Sequence, residues 1–296
     1  MDLFHLLEES VNLKKLSSAI ILFIISILIF SCSGGGMSEE IIKFPSIKDI
    51  QDAKWENLAQ KKIYFGHQSV GFNIIEGIED LMKENPQIKL NIVKTNDPSD
   101  FAVDLFAHSG VGKNGYPESK IDEFAKFINE GIGNKADIVF FKFCYVDVRT
   151  DSDVEDVFSY YKNTMTKLIN AYPDTKFVIF TVPLTTEPTV IQSLFNNAKK
   201  AIKKIMRKPV WGPPPGNQQR SQLNEMLRQE YNGKAPIFDI AMIESTYPDG
   251  TYCSFDVDGK TYYSLVPEYT DDGGHLNEIG RKRAAEQLIV LLADLS

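Results

Sequence analysis

Three polar residues of the sequence could together carry out nucleophilic catalysis. Asp272 and His275 are three residues apart in a glycine-containing segment, and Ser69 lies between Gly66 and Gly71. A serine hydroxyl is a weak nucleophile that needs a base within hydrogen-bonding distance, and that base needs a partner that fixes its tautomer. His275 and Asp272 can supply the base and its partner from one turn. We therefore predict a Ser69-His275-Asp272 triad.

Short apolar runs alternate with segments of helical periodicity along the chain. Five apolar runs predict strands, at residues 62–65, 88–93, 137–143, 177–182 and 236–240. Five segments with helical spacing predict helices, at residues 70–84, 119–128, 154–171, 219–231 and 279–295. The alternation predicts an α/β domain with a parallel sheet of five strands and helices on both of its faces.

Polar residues gather in the segments that follow the predicted strands. In an open parallel sheet, ligands bind beyond the carboxyl ends of the strands. His67, His108 and His275 all fall in such segments, and histidine suits proton transfer or metal binding because it titrates near neutral pH. We predict the site at this edge of the sheet, with His67, Gln68, His108 and Tyr145 as possible contacts.

The order of these blocks resembles the SGNH/GDSL hydrolase family. In that family a Ser follows the first strand, a Gly the second and an Asn the third, and Asp-x-x-His precedes the last helix. Ser69 and Gly110 match the first two blocks, and Asp272 with His275 matches the last. The resemblance implies a flavodoxin-like three-layer α/β/α fold, esterase, lipase or carbohydrate-deacetylase activity, and no metal or other cofactor. It also implies that the backbone N–H groups of Ser69 and Gly110 bind the oxyanion.

Two blocks depart from the pattern of the family. The segment Gly-His-Gln-Ser, which ends at Ser69, has one residue more than Gly-Asp-Ser and a His where the family has Asp. In the third block Val146 stands where the family has Asn, so the side-chain donor to the oxyanion is absent. Tyr145, Gln68 or His67 could replace that donor.

The site residues also have structural alternatives. Ser69 could only cap the helix that follows it, which is a common role for serine. Asp271 could replace Asp272 as the partner of His275, and Gly112 could replace Gly110 as the backbone donor. His67 and His108, in turn, could be buried structural histidines.

Three functions are compatible with these residues. The leading hypothesis is a serine esterase that acts on a small-molecule or glycan ester, since aromatic residues at 247–269 and Trp211 could form a sugar platform. A glycan-binding or surface-interaction protein on a degenerate hydrolase scaffold is the second. The third is a metal-dependent hydrolase that uses His67, His108 and His275 with Asp272.

The N-terminus predicts export and lipid attachment. Lys14 and Lys15 precede an apolar stretch at residues 19–30, which is the order of a secretory signal and is too short to span a bilayer. The end of the stretch, at Cys32, resembles a bacterial lipobox, which implies cleavage before Cys32 and lipidation of its sulfur. We expect a signal peptide at 1–31, a flexible tether at 32–45 and a hydrolase-like domain at 46–296. An uncleaved N-terminal anchor is the alternative.

The charge of the chain limits its expected binding partners, and its cysteines leave two alternatives. The chain has a formal net charge of −8, and its one basic cluster, at residues 199–207, has the spacing of a solvated helix face. Phosphate binding needs clustered Lys and Arg, so nucleic acid is excluded as an expected partner. Cys144 and Cys253 could form a disulfide, or Cys144 could be a buried thiol.

Overall fold

A parallel sheet of six strands forms the centre of the molecule. The computed structural model describes residues 43–187 and 215–296. The strands are β1 (Lys62–His67), β2 (Ile92–Lys94), β3 (Leu105–Gly110), β4 (Ile138–Phe141), β5 (Lys176–Phe180) and β6 (Ile237–Phe238). They lie in the order β2-β3-β1-β4-β5-β6, and every neighbouring pair is parallel. The prediction of a parallel sheet is confirmed, and the number of strands is corrected from five to six.

β3 is the strand that the sequence pattern missed. Its residues, Leu-Phe-Ala-His-Ser-Gly, are apolar only in the first half, so the pattern indicated a loop around His108 and Gly110. The structure instead pairs β3 with β1, with Phe65 opposite His108 and His67 opposite Gly110. The loop assignment of His108 was therefore wrong, although β3 still ends at the predicted edge.

Helices cover both faces of the sheet. They are α1 (Asp52–Ala59), α2 (Val70–Glu84), α3 (Pro117–Asn129), α4 (Val154–Ala171), α5 (Asn217–Tyr231), α6 (Ile240–Ser245) and α7 (Glu278–Leu295). All five predicted helices are present within two residues of their expected ends, and α1 and α6 are additional. Within residues 43–187 and 215–296, no helix has both the length and the apolar composition needed to cross a bilayer.

Two separate hydrophobic clusters explain the three layers. Successive side chains of a strand point to opposite faces of a sheet. Phe65 and Phe140 pack with α1, α2, α6 and α7 on one face, whereas Tyr64 and Phe141 pack with α3, α4 and α5 on the other. The α/β/α arrangement that the sequence predicts is therefore confirmed.

A β-hairpin follows α6. Strands β7 (Ser254–Val257) and β8 (Lys260–Tyr263) are antiparallel and are joined at Asp258 and Gly259, whose φ values are 50° and 76°. These left-handed conformations are typical of a two-residue hairpin turn, as Asp-Gly predicts. The rings of Tyr252 and Tyr263 pack against each other with centroids 5.0 Å apart.

Several sequence predictions concern residues outside the described ranges. These are the signal peptide at 1–31, most of the tether at 32–45, the lipidation of Cys32, the basic cluster at 199–207 and the platform at Trp211. Cys144 and Cys253 lie within the described ranges, and both are free thiols.

Candidate active site

Ser69 lies in the turn that connects β1 to α2. Its backbone adopts φ 54° and ψ −116°, a conformation that costs an L-residue on the order of 1–3 kcal/mol. The N–H groups of Gly71 and Phe72 donate to the carbonyls of Gln68 and Ser69 and close the turn. The Ser69 side chain makes no capping hydrogen bond to α2, so the capping alternative is not realised. Strained strand-to-helix turns present the nucleophilic serine in α/β-hydrolases.

The hydroxyl of Ser69 joins a continuous hydrogen-bonded chain with His275 and Asp272. Ser69 Oγ lies 2.7 Å from His275 Nε2, and His275 Nδ1 lies 2.6 Å from Asp272 Oδ2. An ionised carboxylate only accepts hydrogen bonds, so the single proton of a neutral imidazole lies on Nδ1 and is donated to Asp272. His275 Nε2 is then the acceptor of the Ser69 proton, which is the tautomer that a general base requires.

Asp272, and not Asp271, is the partner of His275. Asp272 Oδ1 accepts the backbone N–H groups of Gly274 at 2.9 Å and of His275 at 2.8 Å, which leaves Oδ2 for the imidazole. Burial raises the pKa of Asp272, but the hydrogen bonds from His275 and Gly274 outweigh it and lower the pKa below its ordinary value. Asp271 instead accepts a hydrogen bond from Asn277. The carboxylate beside His275 is therefore ionised at neutral pH.

The turn that carries Asp272 and His275 is anchored at two points. Gly273 accepts a hydrogen bond from Thr186 N at 2.9 Å. The N–H of Leu276 donates to Asn73 Oδ1 at 3.2 Å, which ties the turn to the second turn of α2. Asn73 was not predicted to contribute, because its role depends on the packing of α2 against α7. These anchors hold His275 over Ser69.

Tyr145 contacts His275 at the nitrogen that bonds Ser69. Its hydroxyl lies 3.4 Å from Nδ1 and 3.5 Å from Nε2 of His275, and Ser69 Oγ lies 2.7 Å from the same Nε2. Burial, followed by the negative charge of Asp272, raises the pKa of Tyr145 to about 12. A Cβ atom at position 274 would lie 2.7 Å from Tyr145 Cζ, so the glycine there is needed for the two segments to approach. The prediction that Tyr145 is a site contact agrees with this geometry.

A buried arginine fixes the segment that carries Tyr145. Arg220 Nη1 donates to the carbonyls of Tyr145 at 2.8 Å and Val148 at 3.1 Å, and Nη2 donates to Thr185 Oγ1 at 2.8 Å. Burial lowers the pKa of Arg220 to about 10. Sequence reasoning missed this residue because one arginine in a polar helix gives no indication that it is buried.

Gln68 and Gly112 use their donors elsewhere. The Gln68 amide donates to the carbonyl of Val111 at 3.0 Å and also to that of Gly112. The Gly112 N–H donates to the Glu123 carboxylate, which removes Gly112 as a backbone donor to the site. Gly110 is exposed at the end of β3, opposite His67 in the register. The Gln68 amide is therefore engaged with backbone carbonyls, and its contact with the site stays a prediction.

His67 and His108 form a buried pair away from the triad. His67 Nε2 lies 2.9 Å from His108 Nδ1, and the His67 ring lies beneath Gly71, where a Cβ atom would overlap it. Burial, followed by the positive charge of Lys142, lowers the pKa of His67 to about 2, and burial also lowers that of His108. The geometry therefore favours the structural alternative for these two histidines.

The three histidines do not converge on one point. His67 and His108 are bonded to each other, whereas His275 is bonded to Ser69 and Asp272. In the part of the chain that the structure describes, no group of three or more His, Cys, Asp or Glu side chains is placed to hold a metal ion. The ligand set of the metal-dependent hypothesis is therefore not assembled here.

Comparison with known proteins gives similarities in structure. No protein-family model matches the chain, and no curated protein sequence matches it. A Bacteroides fragilis protein provisionally assigned as an acylhydrolase has a TM-score of 0.47 at 13% identity, covering 87% of this chain and 93% of its own. A GDSL-like lipase from Bacteroides thetaiotaomicron has a TM-score of 0.42 at 12% identity, with coverages of 81% and 98%. The periplasmic domain of a lipopolysaccharide acetyltransferase from Salmonella ser. Paratyphi A has a TM-score of 0.43 at 14% identity, with coverages of 85% and 90%.

Proposed function

We propose that this protein is a serine ester hydrolase, a divergent member of the SGNH/GDSL family. The observation that carries the proposal is the hydrogen-bonded chain from Ser69 Oγ to His275 Nε2 at 2.7 Å and from His275 Nδ1 to Asp272 at 2.6 Å. The strained turn at Ser69 supports it, because the side chain gives up helix capping and points to a base. Ser69 is the nucleophile, His275 the general base and Asp272 the residue that orients it.

The reaction proceeds through an acyl-enzyme. Ser69 Oγ bonds to the ester carbonyl carbon, its proton passes to His275 Nε2, and the carbonyl electron pair moves onto oxygen. When the oxyanion collapses, the bond to the alcohol breaks and His275 returns the proton to the alcohol oxygen. A water molecule then repeats the cycle and releases the acyl group as a carboxylic acid. Asp272 stabilises the imidazolium in each half-reaction.

Two backbone donors are assigned to the oxyanion. They are the N–H groups of Ser69, at the start of α2, and of Gly110, at the end of β3. Free N–H groups at a helix N-terminus favour negative charge, and preorganised donors stabilise a tetrahedral intermediate. β1 and β3 are neighbours in the sheet, so the two donors come from adjacent strand ends.

We also propose that the enzyme is held outside the cytoplasm by a lipid on Cys32 and acts on acylated glycans or smaller esters. The support for the anchor is the charged, apolar and small-residue order that ends at Cys32. In a bacterial host, the wild-type protein is expected in the membrane fraction with a covalently attached fatty acid. Cys32→Ser is expected to lose the fatty acid, and retention of the label in that variant would contradict the lipid assignment.

A serine-directed covalent probe tests the proposed activity. The purified protein is incubated with a fluorophosphonate and, separately, with 4-nitrophenyl acetate. Ser69→Ala is expected to abolish labelling and to lower kcat by a factor of about 10⁴ or more. The matched control is Ser254→Ala, at an exposed position of the hairpin, which is expected to retain both. A wild-type protein that neither binds the probe nor hydrolyses small esters would contradict the proposal and favour a binding function. Hydrolysis that survives Ser69→Ala and stops on treatment with a chelator would favour a metal-dependent enzyme.

A further inference from the structure

One donor to the oxyanion remains to be identified. The third block of the family supplies a side-chain amide, and this chain has Val146 at that position. An aliphatic side chain donates no hydrogen bond, and the loss of one such donor costs about 10²–10³ in kcat. An active enzyme of this kind therefore needs a substitute donor beside Ser69.

We propose that the Tyr145 hydroxyl is that donor and contacts the oxyanion in the transition state. This assignment depends on the serine hydrolase function proposed above. Gln68 and His67, the other two candidates, are bonded to backbone carbonyls and to His108 respectively. Among the three, the Tyr145 hydroxyl is the donor that lies within 3.5 Å of His275 Nε2, the nitrogen that bonds Ser69 Oγ.

The position of the hydroxyl suits a donor to the reacting centre. It lies almost equally far from the two ring nitrogens of His275, at 3.4 and 3.5 Å, and Ser69 Oγ lies 2.7 Å from Nε2. His275 Nδ1 already donates to Asp272, and Nε2 already accepts from Ser69. Because both ring nitrogens are engaged, the tyrosine proton is available to a substrate oxygen beside Ser69.

The charge on the hydroxyl also suits a donor. Its pKa is raised to about 12 by burial and by the charge of Asp272, so the phenol keeps its proton at neutral pH. A protonated phenol beside an oxyanion donates one hydrogen bond and transfers no proton. In the acylation step the Ser69 proton still goes to His275, and the carbonyl electron pair still moves onto the oxygen that Tyr145 contacts.

The ring is held in place before substrate binds. Tyr145 is only 7% exposed, its carbonyl accepts a hydrogen bond from buried Arg220, and its ring lies against Gly274. A donor that is fixed in advance stabilises a transition state without reorganisation at the moment of reaction. Asp147 adds to this rigidity, because it accepts the N–H of Cys144 at 2.6 Å and pairs with Lys120 at 2.7 Å.

Removal of the single hydroxyl tests the proposal. Tyr145→Phe is expected to lower kcat on 4-nitrophenyl acetate by about 10²–10³, with KM changed by less than about threefold. Tyr160→Phe makes the same chemical change on α4, at a tyrosine whose hydroxyl donates to Asp122 of α3, and is expected to keep wild-type kcat. A small alkylboronic acid, which forms a tetrahedral adduct with the serine, is expected to bind about 10²-fold more weakly to Tyr145→Phe.

The outcomes separate this proposal from the proposed function. If the wild-type protein hydrolyses esters and Tyr145→Phe retains kcat and boronic acid affinity within threefold, Tyr145 is not the donor although the triad stands. If Tyr145 has only a structural role, Tyr145→Phe misplaces His275. The acid limb of the plot of kcat/KM against pH then shifts, and kcat and boronic acid affinity fall together with the melting temperature. An unchanged melting temperature and an unchanged acid limb, together with the loss in kcat, support the donor assignment.

Discussion

The three histidines of the described chain occupy two environments that differ in almost every physical property. His275 is 45% exposed at its side chain, lies on a surface turn and has a hydroxyl and a carboxylate as partners. His67 and His108 lie under α2, are buried and are bonded to each other. A histidine becomes a base when solvent and substrate can reach it and a carboxylate stabilises its charge. Burial beside a second neutral imidazole prevents both.

The difference also explains what the buried pair contributes. A neutral imidazole under Gly71 supports the turn that strains Ser69, and it does so without placing a charge beneath the site. Strained backbone persists only when its surroundings determine it. Under the proposed function, the region of His67 and His108 holds Ser69 in position, whereas the region of His275 performs the proton transfer.

Replacing one histidine from each region gives the largest expected contrast. We predict that His275→Ala lowers kcat on 4-nitrophenyl acetate by about 10⁴ or more, because Ser69 loses its base. His275 is exposed and on a surface turn, so the melting temperature is expected to change little. His108→Gln, the matched variant in the buried region, is expected to keep kcat within about tenfold and to lower the melting temperature. A loss of kcat in His108→Gln as large as in His275→Ala would contradict the division of roles.

The sequence distinguished these two regions only in part. Asp272 and His275 were predictable because their partnership is local: they are three residues apart, and both carboxylate oxygens are used within one turn. His67 and His108 are also histidines at or near the ends of strands, but their burial depends on the packing of α2 over those strand ends. No short-range sequence pattern shows this packing, so the sequence could not distinguish them from His275.

The fold shows the same distinction between local and long-range information. Helices α2 and α4 were predicted with their observed ends because apolar spacing is a property of the segment itself. β3 was missed because its second half, His108 to Gly110, is polar, and because His108 and Ser109 are buried by neighbours distant in sequence. Arg220 and Asn73 were missed for the same reason, since each acts on a segment that is far away along the chain.

A smaller effect is expected on the pH dependence of stability, and it tests the buried region of His67 and His108. His67 stays neutral in the folded protein, with a pKa of about 2, but takes up a proton in the unfolded chain below about pH 6.5. The folded state therefore binds fewer protons, and the His67 contribution to stability decreases as the pH falls from 7 to 5, by about 2 kcal/mol. His67→Gln keeps a donor for His108 and removes this titration. We predict that urea unfolding at pH 7 and pH 5 shows a smaller loss on acidification in His67→Gln than in the wild type.

Glu244 provides a control, because its contribution to stability changes with pH in the direction opposite to that of His67. It is buried on α6, and burial raises its pKa to about 8, so the folded protein binds the additional proton below that pH. Its contribution to stability therefore increases as the pH falls from 7 to 5, by about 2 kcal/mol. Glu244→Gln removes this increase. The loss of stability on acidification is therefore expected to be larger in Glu244→Gln than in the wild type, and smaller in His67→Gln than in the wild type. Equal changes in the free energy of unfolding between pH 7 and pH 5 in the three proteins would show that neither group is buried in its neutral form. The contrast between the two histidine regions would then rest on activity alone.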